Sequence, residues 1–156
     1  MVIFLDIDGV LNQLQSWHID KKCVKNLGLL CSGLNATVVL TSSWRPGYCR
    51  NFDKCSPQIQ KFLSICQEYH IRVEGRTRDF DNRTEEIRDY CNRHNIAKYL
   101  ILDDDSSLFS DTTNLYLVNY KTGFTKHDVK RLFKQRRNLH SNCTKSIQKF
   151  NNTTSI

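Results

Sequence analysis

Short apolar runs recur along this chain, separated by stretches whose apolar residues fall at helical spacing. VIFL at residues 2–5 is apolar throughout, the pattern of a strand buried on both faces, and ATVVL at 36–40 and YLIL at 99–102 repeat it. NLYLV at 114–118 reads as a further strand, and Ile71 to Val73 as a short one. Between the first two runs Cys23, Val24, Leu27, Leu30 and Cys31 recur as one face of a helix, with Asp20 placed to cap it. Ile59, Phe62, Leu63 and Cys66 mark a second helix over 57–69, and a third opens near Asn82 and runs through Ile87, Tyr90 and Cys91. Thr125 with Asp128 three residues on resembles the capping box of a last helix. Strands alternating with helices predict an α/β fold: a Rossmann-like three-layer sandwich around a mostly parallel central sheet with right-handed crossovers.

Parallel sheets gather their reactive groups at the carboxyl ends of their strands, and three of these runs end in unusual polar chemistry. VIFL ends in Asp6-Ile7-Asp8-Gly9, VVL in Thr41-Ser42-Ser43-Trp44-Arg45, and YLIL in Asp103-Asp104-Asp105. If these strands are neighbours, Asp6, Asp8, Thr41, Ser42, Asp103 and Asp104 converge on one crevice. Carboxylates gathered so closely need a cation, a proton or water among them. An EF-hand is excluded: counted from Asp6 the loop would need Gly at its sixth position and Glu at its twelfth, where Leu11 and Trp17 stand. An all-oxygen site that keeps some coordinated water suits Mg²⁺ facing phosphate oxygens. A hydroxyl of the Thr-Ser-Ser segment and a cation such as Arg83 would hold the remaining phosphate oxygens. One aspartate then serves as nucleophile and the other as acid, then base.

In order and spacing, LDIDGVLN, VVLTSS, an isolated Arg and LILDDD resemble the four motifs of the haloacid dehalogenase-like (HAD) phosphohydrolase superfamily, over residues 1 to about 135. TSSWR, an Arg-x-x-Glu-Ile helix and LDD also resemble small HAD domains found alone or fused to nucleic-acid repair enzymes. The resemblance implies that Asp6 is the nucleophile that becomes an aspartyl-phosphate and that Asp8 protonates the leaving oxygen, then activates water. It gives Thr41 or its neighbour Ser42 as the hydroxyl that binds the phosphoryl group, and Arg83 or Arg78 as the third-motif cation, where the family's Lys is replaced. Asp6, Asp8 through its backbone carbonyl, Asp104 and its companion Asp103 would hold Mg²⁺, and Asp105 would cap a helix or turn. Trp44 and Arg45, following the second motif, are candidates to touch substrate, and Trp17 and His18 sit where the family places a mobile flap.

The segments from Asn12 to Thr41 and from Arg45 to Arg83 leave no room for a cap domain, so the enzyme reads as capless. A lidless site cannot enclose a small metabolite, whereas a macromolecule acts as its own lid. Charge points the same way. Residues 1–120 carry 14 Lys/Arg against 15 Asp/Glu, and residues 121–156 carry 9 against 1. The excess centres on KRLFKQRR at 130–137, a helix with Val129, Leu132 and Phe133 on one face and cations elsewhere. Together these favour a Mg²⁺-dependent phosphomonoester hydrolase acting on a nucleic-acid terminal phosphate such as a 3′-phosphate. A nucleotide or other small-molecule phosphatase, a protein phosphatase, a phosphotransferase and a non-catalytic nucleic-acid-binding module are the alternatives. Seven cysteines without a CxxC or zinc spacing read as reduced thiols. No apolar run approaches the ~18 residues of a membrane span, and the N-terminus lacks a signal peptide's features, so an intracellular, cytoplasmic protein is expected. One domain is expected over residues 1–137, followed by a polar, flexible tail over 138–156.

Overall fold

The computed structural model of the chain describes residues 1–12 and 18–135. The chain divides into two compact units, Met1–Thr125 and Lys126–Ile156. In the first, the elements run β1 (Val2–Leu5), α1 (Lys21–Leu34), β2 (Thr37–Leu40), α2 (Pro57–Glu68), β3 (Val73–Arg76), α3 (Arg83–His94), β4 (Tyr99–Asp103) and β5 (Leu115–Leu117). Every strand pair is parallel, in the order β3-β2-β1-β4-β5. The chain therefore winds outward one way through β2 and β3, then crosses β1 to β4 and β5. The switch lies between β1 and β4, where such sheets open a crevice at their carboxyl ends.

Continuous apolar runs give the central strands two buried faces. Val2 and Phe4 point to the face covered by α3, where they join Val39, Ile101, Ile87, Tyr90 and Cys91 in one cluster. Phe4 is completely buried and meets Tyr90 and Tyr99 edge to face, with centroids 5.7 and 5.5 Å away; burial of one such ring is worth ~1.5–3 kcal/mol. By alternation Ile3, Leu5, Val38 and Leu40, all completely buried, face the other layer. There α1 and α2 pack on one another, burying Val24, Leu27 and Leu30 from α1 and Ile59 and Phe62 from α2.

Local chemistry sets the helix ends. Asp20 accepts from the Lys22 amide, Ser56 from Ile59 with Pro57 at the first helical position, and Asn82 from Glu85. Asn35 and Asn95 close α1 and α3 in the left-handed region, at φ 46° and 53°. One strand departs from the expected bounds. Ile71 follows His70, which has a positive φ of 56°, and its amide bonds back to Cys66 O, so it ends α2 rather than opening β3. The strand itself, Val-Glu-Gly-Arg, alternates half-buried and exposed positions on the sheet edge, and its register against β2 slips between Val38 and Val39.

In the unit that begins at Lys126 the chain is helical from residue 126 through 135 (α4), with Val129 and Leu132 buried and Lys130, Arg131 and Lys134 exposed. Arg136, Arg137, the expected boundary at 137 and the expected tail over 138–156 lie outside the described residues, as does Trp17. No helix among the described residues is long and apolar enough to cross a membrane.

Candidate active site

Register decides which side chains meet. Leu5 pairs with Leu40 on one side and Leu102 on the other, so the next residue of each strand, Asp6, Thr41 and Asp103, stands at one level. The ladder continues to that level: the Asp6 amide donates to Leu102 O at 2.9 Å and the Thr41 amide to Leu5 O at 3.0 Å. Carboxylate oxygens of Asp6, Asp103 and Asp104 come within 4.8 Å of one another. Asp6 and Asp103 are buried, Asp104 half-buried. Burial, against Arg83's attraction and with repulsion from Asp103 and Asp104 added, pushes the Asp6 carboxyl up to about 7. Burial likewise raises Asp103 and Asp104 above the usual carboxylate range.

Arg83 opens α3, and its Nη1 donates to Asp6 Oδ1 at 2.8 Å and Asp103 Oδ2 at 2.5 Å. Burial opposes its charge, but those two carboxylates more than offset that and hold it protonated. Arg78, the other candidate cation, is turned outward beside Asp89 with its side chain 65% exposed. Asp103 is bonded on both oxygens, the second accepting from the Asp105 amide at 3.0 Å. The Asp104 carboxylate lies against Gly9, where a Cβ would overlap it, and Gly9 also has a φ of +72°. Glycine is thus required there twice, for the turn and for the close approach. Asp105 accepts from the amide and hydroxyl of Ser107 and caps a short 3₁₀ turn, as its position after the motif implied.

Asp8 faces another way. Its Oδ1 accepts from Asn12 Nδ2 at 2.8 Å, and its Oδ2 from Trp44 Nε1 at 3.0 Å and Ser43 Oγ at 3.4 Å. Its carboxylate is therefore held by neutral donors, outside the grouping of Asp6, Asp103 and Asp104. Asn12 also accepts from the Gly9 amide at 3.1 Å, which locks the turn. Sequence reasoning passed over Asn12, although it lies four residues after Asp8, within reach across a tight turn.

The two hydroxyls of the second motif differ. Ser42 Oγ accepts from the Trp44 amide at 3.2 Å, whereas Thr41 Oγ1 is buried with no partner among the described residues. An unpartnered buried hydroxyl costs ~1–3 kcal/mol, which marks it as waiting for an acceptor or donor from outside. Arg45, expected at substrate, is buried instead. Its guanidinium donates to Thr41 O, Ser42 O, Asp79 and Glu86. It props the hydroxyl-bearing segment from below, and the buried Glu86 is held in turn by Thr77 Oγ1 at 3.1 Å. Glu86 was the signal for this: it sits three residues after Arg83, on the helical face that also carries Ile87 and Tyr90.

On either side of the expected flap the chain is tied together, because the Asp20 amide donates to Leu11 O at 2.8 Å; His18 is exposed. The segment between β2 and α2 holds only two 3₁₀ turns, Arg45–Gly47 and Phe52–Lys54. Neither insertion point carries a cap domain among the described residues. A cavity of 820 Å³ lies at the other end of the sheet, lined by Met1, Val2, Ala36 and Thr37 at the amino ends of β1 and β2, and holds none of the converging aspartates. A family model described as the HAD domain in Swiss Army Knife RNA repair proteins matches residues 2–129. No curated protein and no solved structure matches the chain.

Proposed function

The chain belongs to the family of HAD domains in Swiss Army Knife RNA repair proteins, and from that membership and its crevice we propose that it is a Mg²⁺-dependent phosphomonoester hydrolase that removes a terminal phosphate from RNA through an aspartyl-phosphate. The observation that carries this is the meeting of Asp6, Asp103 and Asp104 at the mouth of adjacent strands beside the unpartnered Thr41 hydroxyl. Three hard oxygen donors with raised proton affinity fit a hard divalent cation. Asp6, Asp103, Asp104 and the backbone carbonyl of Asp8 would hold it, with Asp104 the carboxylate least engaged elsewhere. Bound there, Mg²⁺ would favour ionised Asp6 and neutralise phosphate charge.

The chain's own groups divide the work. An Asp6 oxygen attacks phosphorus and forms the O–P bond, while the bond from phosphorus to the leaving oxygen breaks. Asp8 gives that oxygen its proton, so the leaving group departs as a neutral alcohol. A water then attacks phosphorus, Asp8 takes its proton, and the Asp6–phosphorus bond breaks to release phosphate. Thr41 Oγ1 and Arg83 hold phosphoryl oxygens, Arg83 by releasing part of its hold on Asp6 or Asp103. Asn12 and Trp44 keep Asp8 aimed at the leaving group. Phosphate release from 3′- and 5′-phosphorylated oligoribonucleotides and from an aryl phosphate, with Mg²⁺ and with chelator, tests the reading. It expects metal-dependent turnover that Asp6→Asn abolishes, and metal-independent turnover or full activity of that variant would overturn it.

A further inference from the structure

Next to Asp8 and away from the carboxylate grouping is a cavity of 320 Å³, bounded by the segment after β2 and the start of α2. Asp8, Ser43, Trp44, Pro46 and Gly47 line it, and Gln58 joins them from the first turn of α2. Resting on the hydrolase reading above, we infer that this cavity is the leaving-group pocket and that it takes one unpaired terminal nucleoside.

Its position follows from the reaction. In-line displacement puts the leaving oxygen on the side of phosphorus opposite the attacking Asp6 oxygen, and the proton donor must reach that oxygen. Asp8 is the proposed donor, and its carboxylate is turned out of the Asp6 grouping onto Trp44 and Ser43, two residues of the cavity lining. An alcohol that receives Asp8's proton therefore has its own bulk at this cavity.

The lining selects the chemistry. Among the described residues it contains no Lys or Arg, and Asp8 is the only charged group, so it does not suit a second phosphate. An indole, a proline and a bare glycine backbone offer flat apolar surface to a ring. The Gln58 amide, exposed at the helix start, can both donate and accept, as the edge of a base requires. The volume lies at the small end of the ~300–1,000 Å³ range of ligand sites, enough for one nucleoside and too little for a base pair. A paired end would have to open before its phosphate reached Asp6, which is the usual solution when chemistry falls on a nucleotide inside a stack. A nucleoside in this pocket would supply the enclosure that the missing cap does not.

The test uses the full chain with Mg²⁺ and compares kcat/KM on oligoribonucleotides carrying one terminal phosphate, in separate 3′ and 5′ series. Within a series the phosphorylated residue is unpaired, base-paired at a blunt end, or abasic, and an aryl phosphate and a phosphotyrosine peptide are run alongside. In at least one series the unpaired nucleoside should exceed both the abasic and the paired terminus by about tenfold or more, as loss of base stacking would give. Gln58→Ala and Trp44→Leu should each shrink the ratio of nucleoside to abasic within the same variant; Gln58 is exposed, so its ratio stays informative if the Trp44 variant folds poorly. Equal turnover of nucleoside and abasic ends in both series overturns the pocket while leaving the hydrolase reading intact. Preference for the phosphotyrosine peptide overturns the nucleoside assignment. No phosphate release from any substrate, the aryl phosphate included, overturns the hydrolase reading and the pocket with it.

Discussion

Asp6→Asn should make the metal-free protein more stable at neutral and alkaline pH while abolishing its proposed chemistry. In the unfolded chain Asp6 titrates near 3.8, and in the folded protein it is pushed up to about 7 by burial and by its neighbours Asp103 and Asp104, against the pull of Arg83. The folded state therefore binds the Asp6 proton more tightly than the unfolded state does, and stability falls as pH rises through the window from about 4 to about 7. At ~1.36 kcal/mol for each pH unit separating the two values, the whole effect is about 4 kcal/mol. For a chain of this size that is a Tm difference on the order of 10 °C. Asparagine keeps an oxygen for the Arg83 Nη1 bond and never ionises, so the variant escapes this loss. Thermal melts of both proteins in chelator from pH 4.5 to 8 should show curves closest at the acid end that separate steadily up to about pH 7 and keep that separation above it, with the variant higher. Part of the slope should survive in the variant, since burial raises Asp103 and Asp104 too. Mg²⁺ should stabilise the wild type much more at pH 8 than at pH 5, and stabilise the variant less. A variant that melts below wild type at pH 8, or a Tm difference that stays constant across pH, would refute the argument that crowded buried carboxylates dominate this crevice.

Thr41→Val removes a buried hydroxyl that has no partner among the described residues and keeps its shape, so denaturant melts should show stability unchanged or raised by up to ~1 kcal/mol, while kcat/KM for a phosphomonoester falls. Asp8→Asn should lower the rate by ~10² to 10⁴-fold on a substrate with a poor leaving group, with an unaltered circular dichroism spectrum; a normal rate would place the acid elsewhere. Glu86→Ala strands the buried Arg45 beside Thr41 and Ser42 and should cost ~3–5 kcal/mol in a denaturant melt, and a loss under 1 kcal/mol would show that Asp79 alone satisfies Arg45. Replacing Lys130, Arg131 and Lys134 by Gln should flatten the salt dependence of oligoribonucleotide turnover, read as the slope of log KM against log salt, and spare an aryl phosphate; equal effects on both substrates would mean structural damage.

The central strands were legible because a strand buried on both faces has no choice but to be apolar throughout, as in VIFL, TVVL and YLIL. The edge was not. Val73–Arg76 has no fully buried position, with glycine in it and a register slip beside it, so its signal was outweighed by Ile71, which is buried for a different reason. Ile71 closes α2 by bonding back to Cys66, a contact that periodicity does not encode.

The site divides along the same line. Asp6, Asp8, Thr41, Asp103 and Asp104 could be read as one crevice because each lies within three residues of the end of an apolar run, and parallel register turns that sequence position into a place. Arg83 over Arg78 was within reach of the same logic, since Arg83 shares a helical face with Ile87 and Tyr90 and Arg78 belongs to no periodic segment. Arg45 misled because a cation just beyond a motif looks free to meet substrate. Its side-chain partners, Glu86 and Asp79, come from segments remote in sequence that only folding brings to it. The same holds for Asp8, whose direction is set by Trp44 from the loop after a different strand. What sequence order could not convey was the division of the aspartates into two groups, three drawn together and one turned aside toward a cavity in which, among the described residues, it is the one charged group. Under the proposed hydrolase reading, that division would separate the side of the crevice that holds the phosphate from the side that lets the alcohol go.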